Sequence, residues 1–207
     1  GLSGKMAESN VEVLRLFPTY VMTDKVNDRG VTDLACSLAY KFYDSCENPL
    51  LVSAKWDAQE RSAVEEIKAQ YGVTSFGDNK HLYDHPVANA VLDSCRRMLE
   101  PFGPALSRNV FLASMWLSIY PAGGYVPEHN HANAAFSGSF YVKAAPGAGG
   151  LTFRDPAWMT KTAMIPIPEG IPHENPTRQT VEVETGKIVI FPGYLPHSSE
   201  ENNSGHD

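Results

Sequence analysis

Two closely spaced histidines and one distant histidine have the types and positions that a metal site needs. His129 and His131 are two residues apart, so on extended backbone both imidazoles point to the same face. His197 lies far along the chain and follows Gly186–Gly193, an apolar run that ends in Pro-Gly. Three protein ligands on one face leave open positions for a substrate, as a catalytic metal requires. An H-x-H pair alone is a weak signal, but the combination favours a metal site over ordinary surface or hydrogen-bonded histidines.

The other candidates near these histidines are not predicted to be ligands. Glu128 is adjacent to His129, but neighbours on an extended strand face opposite sides. His173 lies in a proline-flanked loop that we interpret as a lid or a plain connection, and His81 and His85 lie in a polar loop. The candidate site therefore consists of the H-x-H pair and the distant histidine.

These histidines lie among short segments that predict strands. The segments alternate in polarity or are continuously apolar, and glycine and proline separate them, which is typical of a sandwich or jelly roll. We therefore predict a mainly β fold with flanking helices, in which two strand ends bring the distant histidine to the other two. The predicted strands are Val110–Tyr120, Ser137–Val142, Leu151–Arg154, Met164–Ile167, Thr180–Glu184 and Lys187–Phe191.

The first half of the chain carries mostly helical patterns. Val11–Tyr20 is predicted to be an edge strand ending at Pro18, while apolar residues at helical spacing predict three helices. We expect a helical support region over residues 1–103, packed on a β core over residues 104–207, with both parts forming one domain. The predicted helices are Val31–Phe42, Asp57 to Gly72, and Pro86 to the residue before Pro101.

The composition narrows the classes of function. The chain has 207 residues, with 17 Lys and Arg against 24 Asp and Glu, and a formal net charge of −7. Scattered basic residues on an acidic chain argue against nucleic-acid binding. The chain has no run of ~18 apolar residues, so no membrane span is predicted. Three cysteines without a C-x-x-C pair, and no recognisable secretion signal, predict reduced thiols and a cytoplasmic protein.

Three motifs, in their order and spacing, resemble those of the Fe(II)- and 2-oxoglutarate-dependent oxygenases, in particular a phage and bacterial branch of that superfamily. The motifs are His129-Asn-His131, Ser137-Gly-Ser-Phe-Tyr141-Val and Phe191-Pro-Gly-Tyr-Leu-Pro-His197, and the early segment Leu16–Val21 also fits. The resemblance covers Val110–Pro156 and Gly186–Ser198. It implies a double-stranded β-helix, which is a cupin-like jelly roll, with Fe(II) held by three protein ligands and chelated by 2-oxoglutarate.

The resemblance implies that the histidines hold the metal. His129 matches the first ligand and His197 the distal one, while His131 stands where most members have Asp or Glu. With three neutral imidazoles the iron would keep a higher positive charge, which favours an anionic chelator such as 2-oxoglutarate. Whether His131 binds the metal or a water takes its place stays open in the sequence.

Three aromatic residues are implied to contact the cosubstrate. Tyr141 matches a tyrosine that hydrogen-bonds the far carboxylate of 2-oxoglutarate in prolyl hydroxylases. Trp116 and Tyr120 share one face of a predicted strand, and by resemblance that face lines the site. Simple core packing is the alternative for both residues.

One family feature has no counterpart in the sequence. An arginine or lysine that pairs with the 2-oxoglutarate carboxylate normally lies about ten residues past the distal histidine, where this chain has Asp207. We expect this residue beyond position 207, because a barrel without its last strand would expose an open edge. Lys143 and Arg154 are less favoured substitutes.

Two other interpretations compete with a hydroxylase that acts on a small molecule or a protein side chain. Gly124, the histidine trio and Asn202 come near the two motifs of cupins, which would be metal-dependent dioxygenases or isomerases without 2-oxoglutarate. The glutamate that normally follows H-x-H in cupins is missing, since Ala135 and Phe136 occupy that stretch. The third interpretation is a jelly-roll binding module that holds a ligand without turnover.

Overall fold

The structure, a computed structural model, describes residues 12–16, 19–25, 29–35, 73–74, 86–159 and 177–206. Within these ranges strands predominate, and helices precede most of them. The strands are β1 (Glu12–Leu16), β2 (Thr19–Lys25), β3 (Val73–Thr74), β4 (Ser118–Ile119), β5 (Phe136–Phe140), β6 (Leu151–Arg154), β7 (Arg178–Val181), β8 (Lys187–Pro192) and β9 (His197–Ser199). The helices are α1 (Pro86–Leu99), a 3-10 turn (Glu100–Phe102) and α2 (Pro104–Asn109), and residues 29–35 are also helical.

The strands form two larger antiparallel sheets and one short pair. The first sheet has the order β1-β2-β8-β5, the second has the order β7-β6-β9, and β3 pairs with β4. After β5 the chain passes to the second sheet for β6 and β7, returns for β8, and crosses again for β9. The predicted mainly β architecture with helices is therefore confirmed.

The hydrophobic core lies between the two larger sheets. Phe153 of β6 and Phe191 of β8 meet edge to face, with ring centroids 5.0 Å apart. Burial of each large apolar side chain stabilises the fold by about 1.5–3 kcal/mol. Phe153 is in register with His197 of β9, so this histidine shares the core-facing side of its sheet. The buried core residues are Val21, Leu151, Phe153, Val181, Val189, Phe191 and Leu195.

Helix α1 covers the opposite side of the first sheet. Pro86 suits the first turn, where its missing N–H is not needed, and Arg96 and Arg97 in the last turn complement the helix dipole. Arg97 also faces Asp24, which is 2% exposed, with Nη2 3.7 Å from Oδ2. The helix is thus joined to β2 by a partly buried ion pair and by apolar packing. The packed residues are Met22, Met98, Leu99, Ile188 and Ile190.

Several strand predictions are confirmed and others are corrected. Leu151–Arg154 is found as predicted, and the strand predicted at Lys187–Phe191 extends by one residue. The single edge strand predicted over Val11–Tyr20 is wrong, because this stretch belongs to two antiparallel strands, β1 and β2. The long strand predicted over Val110–Tyr120 is reduced to β4, since most of that apolar run has no ladder partner within the described residues.

The helix predictions are tested in part. The predicted helix that starts at Pro86 is confirmed as α1. Residues 29–35 are helical, so the first predicted helix begins two residues earlier than Val31, and its remainder lies outside the described residues. The predicted helix over Asp57–Gly72 and the strand over Met164–Ile167 also lie outside them. None of the helices that the structure describes is long and apolar enough to cross a membrane.

The first half of the chain contributes more than helices. Strand β2 pairs with β8 through Met22–Ile190 to Lys25–Lys187, so the β1–β2 hairpin extends the sheet that holds β5 and β8. The division into a support region over residues 1–103 and a β core over residues 104–207 stays a prediction.

Candidate metal centre

The structure brings the three predicted histidines together. The ring centroids of His129 and His197 are 4.3 Å apart, and each lies 5.0 Å from the ring centroid of His131. One ring nitrogen from each residue can be chosen so that all lie within 4.8 Å of one another. Nitrogens that share one ion at ~2.1 Å and at right angles are about 3 Å apart. The limit of 4.8 Å is above this spacing, so a shared ion would bring the three nitrogens closer together.

Backbone pairing explains why the distant histidine meets the other two. His129 and His197 face each other across an antiparallel bridge and exchange two N–H···O bonds of 2.9 Å. The His131 N–H donates to the carbonyl of Gly193, at 2.8 Å, in the turn before β9. The H-x-H segment is thus attached to both ends of the stretch that carries His197.

Two of the three rings are oriented by hydrogen bonds of the same kind. Nδ1 of His129 lies 2.8 Å from the Pro127 carbonyl, and Nδ1 of His197 lies 2.9 Å from the Leu195 carbonyl. A carbonyl oxygen can only accept, so both Nδ1 atoms carry a proton, and Nε2 is the ring nitrogen left for a metal. Metal-binding histidines in proteins are commonly held in this way.

The ring of His131 is held differently. It packs against the Trp116 ring, with centroids 5.8 Å apart and planes inclined by 54°. Within the described part of the chain, its contacts are with aromatic rings rather than with hydrogen-bonding partners. Burial lowers the pKa of His131, and the nearby His129 lowers it further. His131 is therefore a neutral imidazole at pH 7.

The site becomes more buried from His129 to His197. His129 is exposed, His131 is half-buried and His197 is only 5% exposed. Behind His197 lie the rings of Phe191 and Phe153, with centroids at 4.5 and 6.3 Å. The trio thus has an apolar floor on one side and an open approach beside His129.

Burial also keeps His197 neutral. It lowers the pKa of His197 to about 4, against a smaller opposite effect of the Leu195 carbonyl, and His129 and His131 lower it slightly. A proton therefore does not compete for the lone pair of His197 at neutral pH.

The metal-free protein is expected to lose stability as the pH falls from about 6.5 towards 4. In the unfolded chain His197 takes up a proton near pH 6.5, whereas in the fold its pKa is about 4. The unfolded state binds more protons in this window, so the stabilisation present above pH 6.5 is lost, by up to roughly 2–3 kcal/mol. Thermal unfolding between pH 7 and 4 measures the slope. The His197→Gln variant should show a smaller slope, and equal slopes would contradict the assignment.

Glu128 and Arg154 face away from the metal centre. Oε2 of Glu128 lies 2.8 Å from Nε of Arg154 and 3.4 Å from Nη2 of Arg178. The Arg154 guanidinium also lies over the Trp158 ring, 4.8 Å from its centroid. Because Arg154 alternates with the core-facing Phe153, it belongs to the outer side of its sheet. Its partners there do not suit the substitute role in 2-oxoglutarate binding considered above.

Tyr120 and Tyr141 are half-buried, lie one residue past the ends of β4 and β5, and are near enough for Tyr120 to influence the titration of Tyr141. Burial raises the pKa of Tyr120, whose hydroxyl contacts Ser118. Burial also raises the pKa of Tyr141, whose hydroxyl contacts Ser139, and the electrostatic influence of Tyr120 adds to the increase. Both phenols are thus neutral hydrogen-bond donors.

Sequence reasoning missed the contribution of Gly193. A side chain at this position would overlap the carbonyl oxygen of Ala134 and come within 3.0 Å of the carbonyl oxygen of His131. The close approach lets β9 start beside the H-x-H segment. The signal in the sequence is the Pro-Gly pair that follows the predicted strand Lys187–Phe191.

Comparison with known proteins agrees with the motifs. The model of a family described as "Putative 2OG-Fe(II) oxygenase" matches residues 114–207. The matched region contains the three histidines as well as Trp116, Tyr120 and Tyr141, so the resemblance stated above is confirmed. No curated protein matches the chain.

Proposed function

Starting from the family match over residues 114–207, we propose that this chain is an Fe(II)- and 2-oxoglutarate-dependent oxygenase. It hydroxylates a small molecule or a protein side chain rather than nucleic acid. The observation that carries this proposal is the convergence of three histidine imidazoles inside the matched region. Imidazole nitrogens suit Fe(II) as ligands, and a three-residue set leaves room for a chelating cosubstrate.

The fold proposed for residues 104–207 is a double-stranded β-helix. Its support is the alternation of β5 to β9 between two antiparallel sheets. The bridge between His129 and His197 adds the H-x-H segment to the edge of the second sheet, next to β9. This arrangement accounts for the metal ligands lying at one end of the space between the sheets.

The histidines provide the ligand set in this proposal. Nε2 of His129 and His197, already freed by the Nδ1 hydrogen bonds, bind Fe(II) together with a ring nitrogen of His131. When bound, iron and 2-oxoglutarate supply the oxidative chemistry, in which O2 yields succinate, CO2 and one oxygen atom inserted into a substrate C–H bond. The protein contributes ligand geometry and a site from which water is largely excluded on the His197 side.

The charge of the ligand set favours the cosubstrate. No carboxylate lies within the trio, and the nearest one in sequence, Glu128, is paired with two arginines. The ion therefore keeps its full positive charge, which attracts the dianionic 2-oxoglutarate. In the proposed complex the neutral phenols of Tyr141 and Tyr120 donate hydrogen bonds to its far carboxylate, and Trp116 borders the site beside His131.

A single anaerobic titration tests the proposal. Protein loaded with Fe(II) should develop a weak visible absorption band when 2-oxoglutarate is added, and should release succinate when air is admitted. Iron binding without any response to 2-oxoglutarate would instead indicate a cupin-type enzyme. Failure to bind iron would indicate a binding module, and either result would overturn the proposal.

A further inference from the structure

Asn202 is a buried polar residue whose side chain is fully engaged. It is 6% exposed, and its Nδ2 donates to the carbonyls of Tyr120, Pro121 and His206 at 3.0, 3.3 and 2.6 Å. Its Oδ1 accepts from the backbone N–H and the hydroxyl of Ser204 at 3.1 and 2.6 Å. A buried amide satisfied on both ends holds its neighbours in one arrangement, because each alternative leaves a buried polar atom unpaired.

The backbone of Asn202 also forms hydrogen bonds with the turn at residues 120–124. Its carbonyl accepts from the Gly123 N–H at 2.7 Å, and its own N–H donates to the Gly124 carbonyl at 2.9 Å. The turn itself is tight, since Gly124 donates to Pro121 at 2.8 Å and Gly123 has a φ of +82°. Asn202 therefore contacts four of the five residues from Tyr120 to Gly124.

This contact is the far end of a ribbon that carries the metal ligands. Residues 124–129 run antiparallel to residues 197–202, and the hydrogen bonds between them occur at Asn202, at Ser199 and at the pair of His197 with His129. The Ser199 N–H donates to the Val126 carbonyl at 3.1 Å. With a rise of ~3.3 Å per residue, Asn202 lies roughly 16 Å from His197 along the strand.

We propose that Asn202 is a positioning residue of the metal centre, which fixes the register and separation of the two segments that carry His129 and His197. This inference rests on the proposed metal site. Without the amide, the turn at residues 120–124 loses its anchor and the ribbon opens from that end. Metal binding must then order the ribbon again, so affinity falls although no ligand has been removed.

The test compares two variants with the same change in charge at neighbouring positions. Asn202→Asp replaces the Nδ2 donor by an oxygen that faces three carbonyls, whereas Asn203→Asp changes an exposed side chain with one hydrogen bond, to the Glu201 carbonyl. We expect Co(II) affinity to fall about tenfold in Asn202→Asp, as for other residues that orient metal ligands. It should stay within about twofold of wild type in Asn203→Asp. Equal affinities in the two variants would overturn the inference.

A second measurement separates this inference from the proposed function. Amide hydrogen exchange in the metal-free protein reports the bonds between His129 and His197 directly, and Val189 in β8 serves as a reference. Asn202→Ala should speed exchange of the two histidine amides about tenfold and leave Val189 unchanged. If all amides change together, the role of Asn202 is merely structural and the inference is wrong. A further outcome is that the wild-type protein binds no metal, while Asn202→Ala still speeds exchange of the two histidine amides. That result would support the role of Asn202 in holding the two segments together and would contradict the proposed function.

Discussion

The His197→Ala variant is expected to lose Fe(II) and Co(II) binding by roughly a hundredfold or more, a larger loss than changes outside the ligand set cause. His197 is the most buried member of the trio, and its ring is fixed by the Leu195 carbonyl and by Phe191. No other side chain in the described part of the chain is placed with His129 and His131 to replace it. Succinate formation should fall with metal content, while α1 stays folded because it packs on the far side of the first sheet.

His206→Ala is the matched control for this variant. His206 is exposed, and it contacts Asn202 through its backbone carbonyl, which the substitution leaves in place. Metal content by elemental analysis, with circular dichroism to follow the helix, compares the two variants directly. Wild-type metal content in His197→Ala would remove His197 from the ligand set, and with it the main support for an oxygenase.

Gly193→Ala is expected to affect both stability and metal binding. The added Cβ would overlap the Ala134 carbonyl oxygen and crowd that of His131, and both contacts are with backbone atoms that cannot rotate away. Forcing extra volume into a packed site typically costs 1–3 kcal/mol, so we expect about 3 kcal/mol here. The relief of this overlap moves the H-x-H segment away from β9, so Co(II) affinity should fall at least tenfold, about 1.4 kcal/mol.

Gly205→Ala is the comparison variant for this prediction. Gly205 has a φ of +73°, so alanine costs about 1 kcal/mol there, but nothing lies within 4 Å of the added Cβ. Urea unfolding gives both free energies of unfolding, and a Co(II) titration gives both affinities. The outcome that contradicts the prediction is a Gly193→Ala protein as stable as Gly205→Ala with unchanged metal affinity.

The site was predictable from the sequence where local geometry decides the outcome. The shared face of His129 and His131 follows from the two-residue period of extended backbone. The position of His197 just past a strand can be read from the apolar run of β8, which ends in Pro-Gly. The face on which a side chain lies and the residue at which a strand ends depend on neighbours in sequence, so both can be derived from the sequence.

Features that depend on distant pairing were not predictable. The pattern in Val11–Tyr20 suits a strand, but nothing local shows that it forms part of a hairpin or that β2 pairs with β8. The apolar run from Val110 has strand propensity, yet it lacks a ladder partner in the described residues, and propensity alone does not form a strand. The carbonyls that orient the rings of His129 and His197 are backbone atoms, which no side-chain motif encodes.

Exposure decreases from His129 through His131 to His197, which implies an order in which the three imidazoles would bind an ion. An ion that binds as proposed would meet His129 first, at the open side, and His197, beside the Phe191 ring, last. Release along the same path would require the bond to the buried His197 to break first, so that bond would set the dissociation rate. In the proposed complex, the burial that lowers the pKa of His197 would therefore also lengthen the residence time of the metal.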